Sequence, residues 1–141
     1  MNFYTRTIPL AAALVLGLAP LAQAKTVNLT GNFFAEGAVT TTPSGRFTGT
    51  LDTVTDKVTY KITYSGLTGP VVAAHFHGPA LPGQEAGVLL PIPGPYLTGL
   101  SGTLTANAAT VQDILAGKTY VNLHTNKYPM GEARAQVKVS S

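Results

Sequence analysis

The chain has 141 residues with 9 Lys+Arg, 6 Asp+Glu, a formal net charge of +3 and no cysteine. That length suits one domain with its own core. The missing cysteine excludes a disulfide framework and a thiolate ligand. The cations are scattered, with no basic run, which argues against a nucleic-acid surface.

The first 24 residues read as a signal peptide. Arg6 supplies a positive start, Ile8 to Leu18 forms an apolar stretch, and Ala22-Gln23-Ala24 is a small-x-small cleavage site. The stretch is short for a membrane span. Arg6 stands alone, so there is no twin-arginine signal. Cleavage before Lys25 leaves 117 of the 141 residues and a formal charge of +2. The expected location is secreted or periplasmic, with no membrane span after processing.

From Lys25 onward the pattern is one of short strands. Thr26 to Thr30 is the first. Thr40 to Gly45 reads as a loop. Arg46 to Asp52 alternates around Phe47 and Leu51, and Val58, Tyr60, Ile62 and Tyr64 alternate with polar residues after a turn at Thr53 to Asp56. Arg46 to Tyr64 is therefore a predicted hairpin. Val71 to His77, Val88 to Ile92 and Leu97 to Thr105 follow as strands, separated by Gly/Pro-rich turns. Thr110-Val111-Gln112-Asp113 resembles a capping box and opens the one predicted helix, which Gly117 stops. Thr119 to Thr125 and Ala133 to Val139 are the last strands. About eight short strands with Gly/Pro turns predict an all-β antiparallel sandwich or barrel with one short helix.

The chemistry concentrates on histidine. The chain has three: His75 and His77, one residue apart in the Val71 to His77 strand, and His124 in the Thr119 to Thr125 strand. Alternation puts His75 and His77 on one face, with Cα atoms roughly 6.6 Å apart, close enough for both rings to reach one ion. Val121 and Leu123 are the core-facing pair of the later strand, so His124 shares the outer face with Tyr120 and Asn122. All three histidines then fall on non-core faces, as an accessible site requires. If the two strands are neighbours, three imidazoles converge, a set that suits copper or zinc and leaves an open coordination position. Tyr120 and Asn122 are candidates for supporting the ligands, and Met130 and Glu132 for joining them. Periodicity alone does not place the strands side by side.

Other chemistry has less support. There is no Gly-x-Ser-x-Gly elbow and no cysteine nucleophile. The six acidic residues are not close in sequence, so no catalytic set is assigned. Glu132 and Arg134 are expected on one strand face as a structural ion pair.

With these motifs laid out, the chain resembles the CHRD (chordin) domain family. The resemblance rests on Leu29-Thr30-Gly31, Gly66-Leu67-Thr68-Gly69-Pro70, Ala74-His75-Phe76-His77-Gly78-Pro79-Ala80, Tyr120-Val121-Asn122-Leu123-His124-Thr125 and Tyr128-Pro129-Met130-Gly131-Glu132-Ala133-Arg134. It spans residues 25–141. Two departures stand out. Phe34-Ala35-Glu36-Gly37 replaces an acidic-hydrophobic-Pro-Pro stretch, and Ala133 and Ala135 flank the arginine where Ile and Gly are usual. The resemblance implies an immunoglobulin-like Greek-key barrel related to copper-zinc superoxide dismutase. In that comparison the His75-x-His77 strand looks like the enzyme's copper-binding strand, and His124 looks like a later copper ligand. The bridging histidine, zinc ligands and disulfide have no equivalents, so at most a mononuclear copper site carries over.

Three readings follow. The first is an exported binding module with a copper or zinc ion on His75, His77 and His124. The second is a copper-dependent redox enzyme related to superoxide dismutase. The third is a metal-free interaction domain with an extracytoplasmic protein partner.

Overall fold

Alternating β-branched and aromatic residues between glycine and proline turns build a sheet that curls on itself. The computed structural model describes residues 9–18 and 25–140. Its strands are β1 (Thr26–Ala35), β2 (Ser44–Asp52), β3 (Lys57–Ser65), β4 (Val71–His77), β5 (Val88–Ile92), β6 (Leu100–Thr105), β7 (Thr119–Thr125) and β8 (Ala133–Ser140), with helix α1 (Ala108–Leu115) between β6 and β7. They form one antiparallel sheet in the order β5-β4-β7-β8-β1-β2-β3-β6, a nearly closed barrel. The β3–β4 and β6–β7 connections cross the barrel, the long returns of a Greek-key arrangement. The all-β barrel with one short helix is as the sequence predicts.

The predicted hairpin forms, with Phe47 opposite Ile62 and Leu51 opposite Val58. These side chains face inward with Leu29, Phe33 and Tyr60, while Phe76, Val121, Leu123, Ala135 and Val137 fill the core from the other half. Phe47 and Phe76 meet across it edge to face, with ring centroids 5.5 Å apart, a favoured aromatic geometry. Pro91, which cannot donate a ladder hydrogen bond, lies in edge strand β5.

Several boundaries differ from the sequence reading; β2, for one, opens at Ser44 instead of Arg46, inside the predicted loop. Strand β1 runs past Thr30 to Ala35. Gly31 does not break it, because its bare Cα admits the Gln136 carbonyl; a Cβ there would lie 2.5 Å from that oxygen. Strand β6 starts at Leu100, since the Leu100 N–H turns back to the Leu97 carbonyl at 3.0 Å. Helix α1 begins two residues before Thr110. Its N-cap is Asn107, whose Oδ1 accepts the Thr110 N–H at 2.8 Å, and Thr110 is buried within the first turn. Asparagine is among the best N-caps. Asn107→Ala should therefore cost about 1 kcal/mol of unfolding free energy in urea denaturation; an unchanged midpoint would show that the cap contributes nothing.

The apolar run near the start is exposed and without regular secondary structure over residues 9–18. Arg6, Ile8 and the Ala22-Gln23-Ala24 site lie outside the described residues. Among those described, no helix is long and apolar enough to cross a membrane.

Candidate metal centre

Strands β4 and β7 are antiparallel neighbours, with Ala73 opposite His124, His75 opposite Asn122 and His77 opposite Tyr120. Facing residues on paired strands share a face, so this register gathers all three histidines on the outside of the barrel. The β4–β5 pairing shifts register between Phe76 and His77. Irregularities of this kind re-aim side chains beside sites.

The rings converge. Ring centroids lie 4.9 Å apart for His75 and His124, 5.6 Å for His75 and His77, and 6.1 Å for His77 and His124. One nitrogen from each falls within 4.8 Å of the other two, a group that could hold a metal ion. Four-coordinate zinc with Zn–N bonds of 2.0–2.1 Å separates its nitrogens by about 3.4 Å. His75 Nδ1 and His124 Nε2 are already 3.1 Å apart. The widest gap needs to close by at most about 1.4 Å, a side-chain adjustment.

Backbone carbonyls select the atom that two of the rings, His77 and His124, present. His77 Nδ1 donates to the Ala86 carbonyl at 2.9 Å, and His124 Nδ1 donates to the Pro129 carbonyl at 3.0 Å. Both protons therefore sit on Nδ1, and both Nε2 lone pairs are left for the cluster. This is the outer-shell pattern that orients metal-ligating histidines. His75 presents Nδ1. In the metal-free protein this atom can donate to His124 Nε2, so ligation requires its proton on Nε2 instead. His77 Nε2 is buried and, among the described residues, has no hydrogen-bond partner. Such an orphaned polar atom is costly unless something occupies its lone pair.

Electrostatics favour the neutral, ligating form. Burial lowers the His75 pKa below its usual value, and His124 and His77 lower it further. Burial also lowers that of His77, outweighing the Ala86 hydrogen bond that raises it; His124 and Arg134 add to the depression.

The outer face is less accessible than alternation suggested. All seven residues of β7 are buried, and His77 and His124 are only 9% and 8% exposed. The sequence reading took the non-core face as open, whereas residues 78–87 and 126–132 place their carbonyls against it. Tyr120 stacks on His77 at 5.0 Å with ring planes 9° apart. Asn122 Nδ2 donates to Glu36 Oε2 at 3.3 Å. Gly131, at φ 122°, lies against Asn122; a Cβ would fall 2.2 Å from Asn122 Oδ1.

The two further candidates stay out of the cluster. Met130 is 87% exposed. Glu132 is fully buried elsewhere, accepting hydrogen bonds from Thr41, Thr68 and Thr125. The expected Glu132–Arg134 pair does not form. Glu132 precedes β8, so strand alternation does not govern its direction, and Arg134 instead lies 3.9 Å from Glu36. The threonine partners of Glu132 and the two orienting carbonyls carry no sequence signal, because they come from distant loops and from backbone.

Fold and site together define an antiparallel β-barrel domain with a three-imidazole cluster on its outer face. Within that class, the chain belongs to the CHRD domain family: the sequence model of the CHRD domain matches residues 25–137, most of the chain. Membership suggests a binding module. No curated protein and no solved structure matches the chain.

Proposed function

We propose that this protein is an exported CHRD-domain binding module that holds one copper or zinc ion through His75 Nδ1, His77 Nε2 and His124 Nε2. The observation that carries the reading is the buried His77 Nε2, without a hydrogen-bond partner among the described residues, on a ring that, like that of His124, is oriented by a backbone carbonyl. Imidazole suits both metals, and three protein ligands leave a position for water or a further ligand. A bound ion would supply a Lewis-acidic centre, redox-active in the case of copper. The chain's own residues orient His77 and His124, favour the neutral form of His75 and His77, and cover the cluster. Export is supported by the pattern of residues 1–24, whose described part, residues 9–18, stands exposed.

Titration of the purified metal-free protein with Cu(II), Cu(I) and Zn(II), read by native mass spectrometry and calorimetry, tests this. The expected result is one ion per chain and a melting temperature that rises with metal. Free ion at about 100 times Kd should add about 2.7 kcal/mol of stability. No stoichiometric binding of any of the three would return the chain to the metal-free interaction domain. Superoxide turnover by the copper-loaded protein would move it to the redox enzyme.

A further inference from the structure

The segment from Gly78 to Gly87 contains three glycines and two prolines and no helix or strand. A loop of that composition is ordinarily mobile. Here four of its carbonyls are held from the barrel wall. Ala80 O accepts from Gln136 Nε2 at 2.9 Å, Leu81 O from Arg134 Nη2 at 3.1 Å, and Gln84 O from Arg134 Nη1. Ala86 O accepts from both His77 Nδ1 and the Tyr120 hydroxyl, at 2.9 and 3.2 Å. The Ala86 N–H in turn donates to the Tyr120 oxygen at 3.1 Å.

The groups that hold it form a stack. The Arg134 guanidinium lies 3.6 Å from the centre of the Tyr120 ring, and the Tyr120 ring is parallel to that of His77. Tyr120 is 2% exposed, so the cation–π contact is largely desolvated and in the stronger part of its range. Sheet register explains the alignment: His77, Tyr120 and Gln136 lie in one row across β4, β7 and β8, and Asn122 and Arg134 lie in the next.

We infer that residues 78–87 are a fixed strap whose Ala86 carbonyl sets the ring orientation and tautomer of His77, and that Tyr120 and Arg134 are positioning residues holding that strap. The inference rests on the metal-binding reading and extends it: neither residue reaches the ion, but together they decide whether His77 Nε2 points into the cluster. The stack fixes the ring plane and the Ala86 oxygen fixes the proton. Outer-shell partners of metal-ligating histidines are typically worth 10–100-fold in affinity. Arginine suits this role better than lysine, because its planar fork reaches two carbonyls while its face lies on the tyrosine.

Tyr120→Phe keeps the stack and removes the hydroxyl; Arg134→Lys keeps the charge and removes the fork. Two measurements on each variant test the inference: the His77 tautomer, by 15N NMR of the metal-free protein, and zinc affinity. The wild type should hold His77 in the Nδ1–H form. Both variants should populate the Nε2–H form and bind zinc about tenfold more weakly. Asn107→Ala, which weakens the fold at the N-cap of α1 and removes none of the strap's hydrogen bonds, serves as control and should change neither readout. An unchanged tautomer in both variants overturns the strap, whatever zinc does. A control that shifts as much as the variants also overturns it, by reducing the effect to general destabilisation. If the wild type binds no zinc, the metal reading fails by itself and the tautomer alone decides the strap.

Discussion

Replacing Glu132 with leucine should lower the unfolding free energy by about 3–5 kcal/mol, a large share of the 5–15 kcal/mol typical of a domain. Glu132 is 0% exposed. Its Oε1 accepts from the Thr68 N–H at 2.8 Å and the Thr41 hydroxyl at 2.9 Å; its Oε2 accepts from the hydroxyls of Thr68 at 2.8 Å and Thr125 at 2.7 Å. The carboxylate thus ties together the β1–β2 loop, the β3–β4 loop and the end of β7. Among the described residues no cation pairs with it, so the stabilisation comes from neutral donors to a charged acceptor, which are stronger than neutral pairs. Leucine would strand those donors. Glu132→Gln should cost less, about 1–2 kcal/mol, because its oxygen can still serve Thr68 N–H and Thr41 while its amide donates to rotated hydroxyls.

The same group predicts acid sensitivity. Burial pushes the Glu132 pKa up, but the hydrogen bonds from Thr125, Thr68 and Thr41 together hold it below its usual value. A carboxyl with a lowered folded pKa contributes stability that is present above its unfolded value of about 4.3. That contribution is lost as pH falls through the folded one. Melting temperature should therefore drop below pH 4.3 more steeply in wild type than in Glu132→Gln. Equal slopes would show that the carboxylate is not held this way.

How far the sequence foretold all this depends on where each signal lives. Strands β4, β5 and β7 are legible to the residue, because glycine and proline bracket their apolar runs. The helix starts ahead of the predicted Thr110, because the residue that caps it is Asn107, followed by two alanines that carry no apolar period. The pairing of β4 with β7, which brings His124 to His75 and His77, follows from topology and is invisible to periodicity. Covering of the outer face by residues 78–87 and 126–132 is likewise a loop property. The expected Glu132–Arg134 pair fails because, one residue before β8, alternation does not say which way a side chain points.

Loss of any one histidine should reduce copper or zinc affinity beyond the roughly 10–100-fold expected of an outer-shell change. Calorimetric or competition titration of His75→Ala, His77→Ala, His124→Ala and His75→Ala/His124→Ala would measure it. The double variant should be little worse than either of its singles, because one missing ring already breaks the chelate; contacting groups are not additive. Wild-type affinity should fall with pH, since protonated imidazole cannot ligate. For His75 and His77, burial and neighbouring charge set the folded pKa below the unfolded value of 6.5. The unfolded chain therefore binds more protons once pH drops under about 6.5, and metal-free stability declines from there as pH falls toward the folded values. His75→Ala should flatten that decline between the two. Wild-type affinity in His124→Ala would show that β4 and β7 do not share an ion, however close their rings stand.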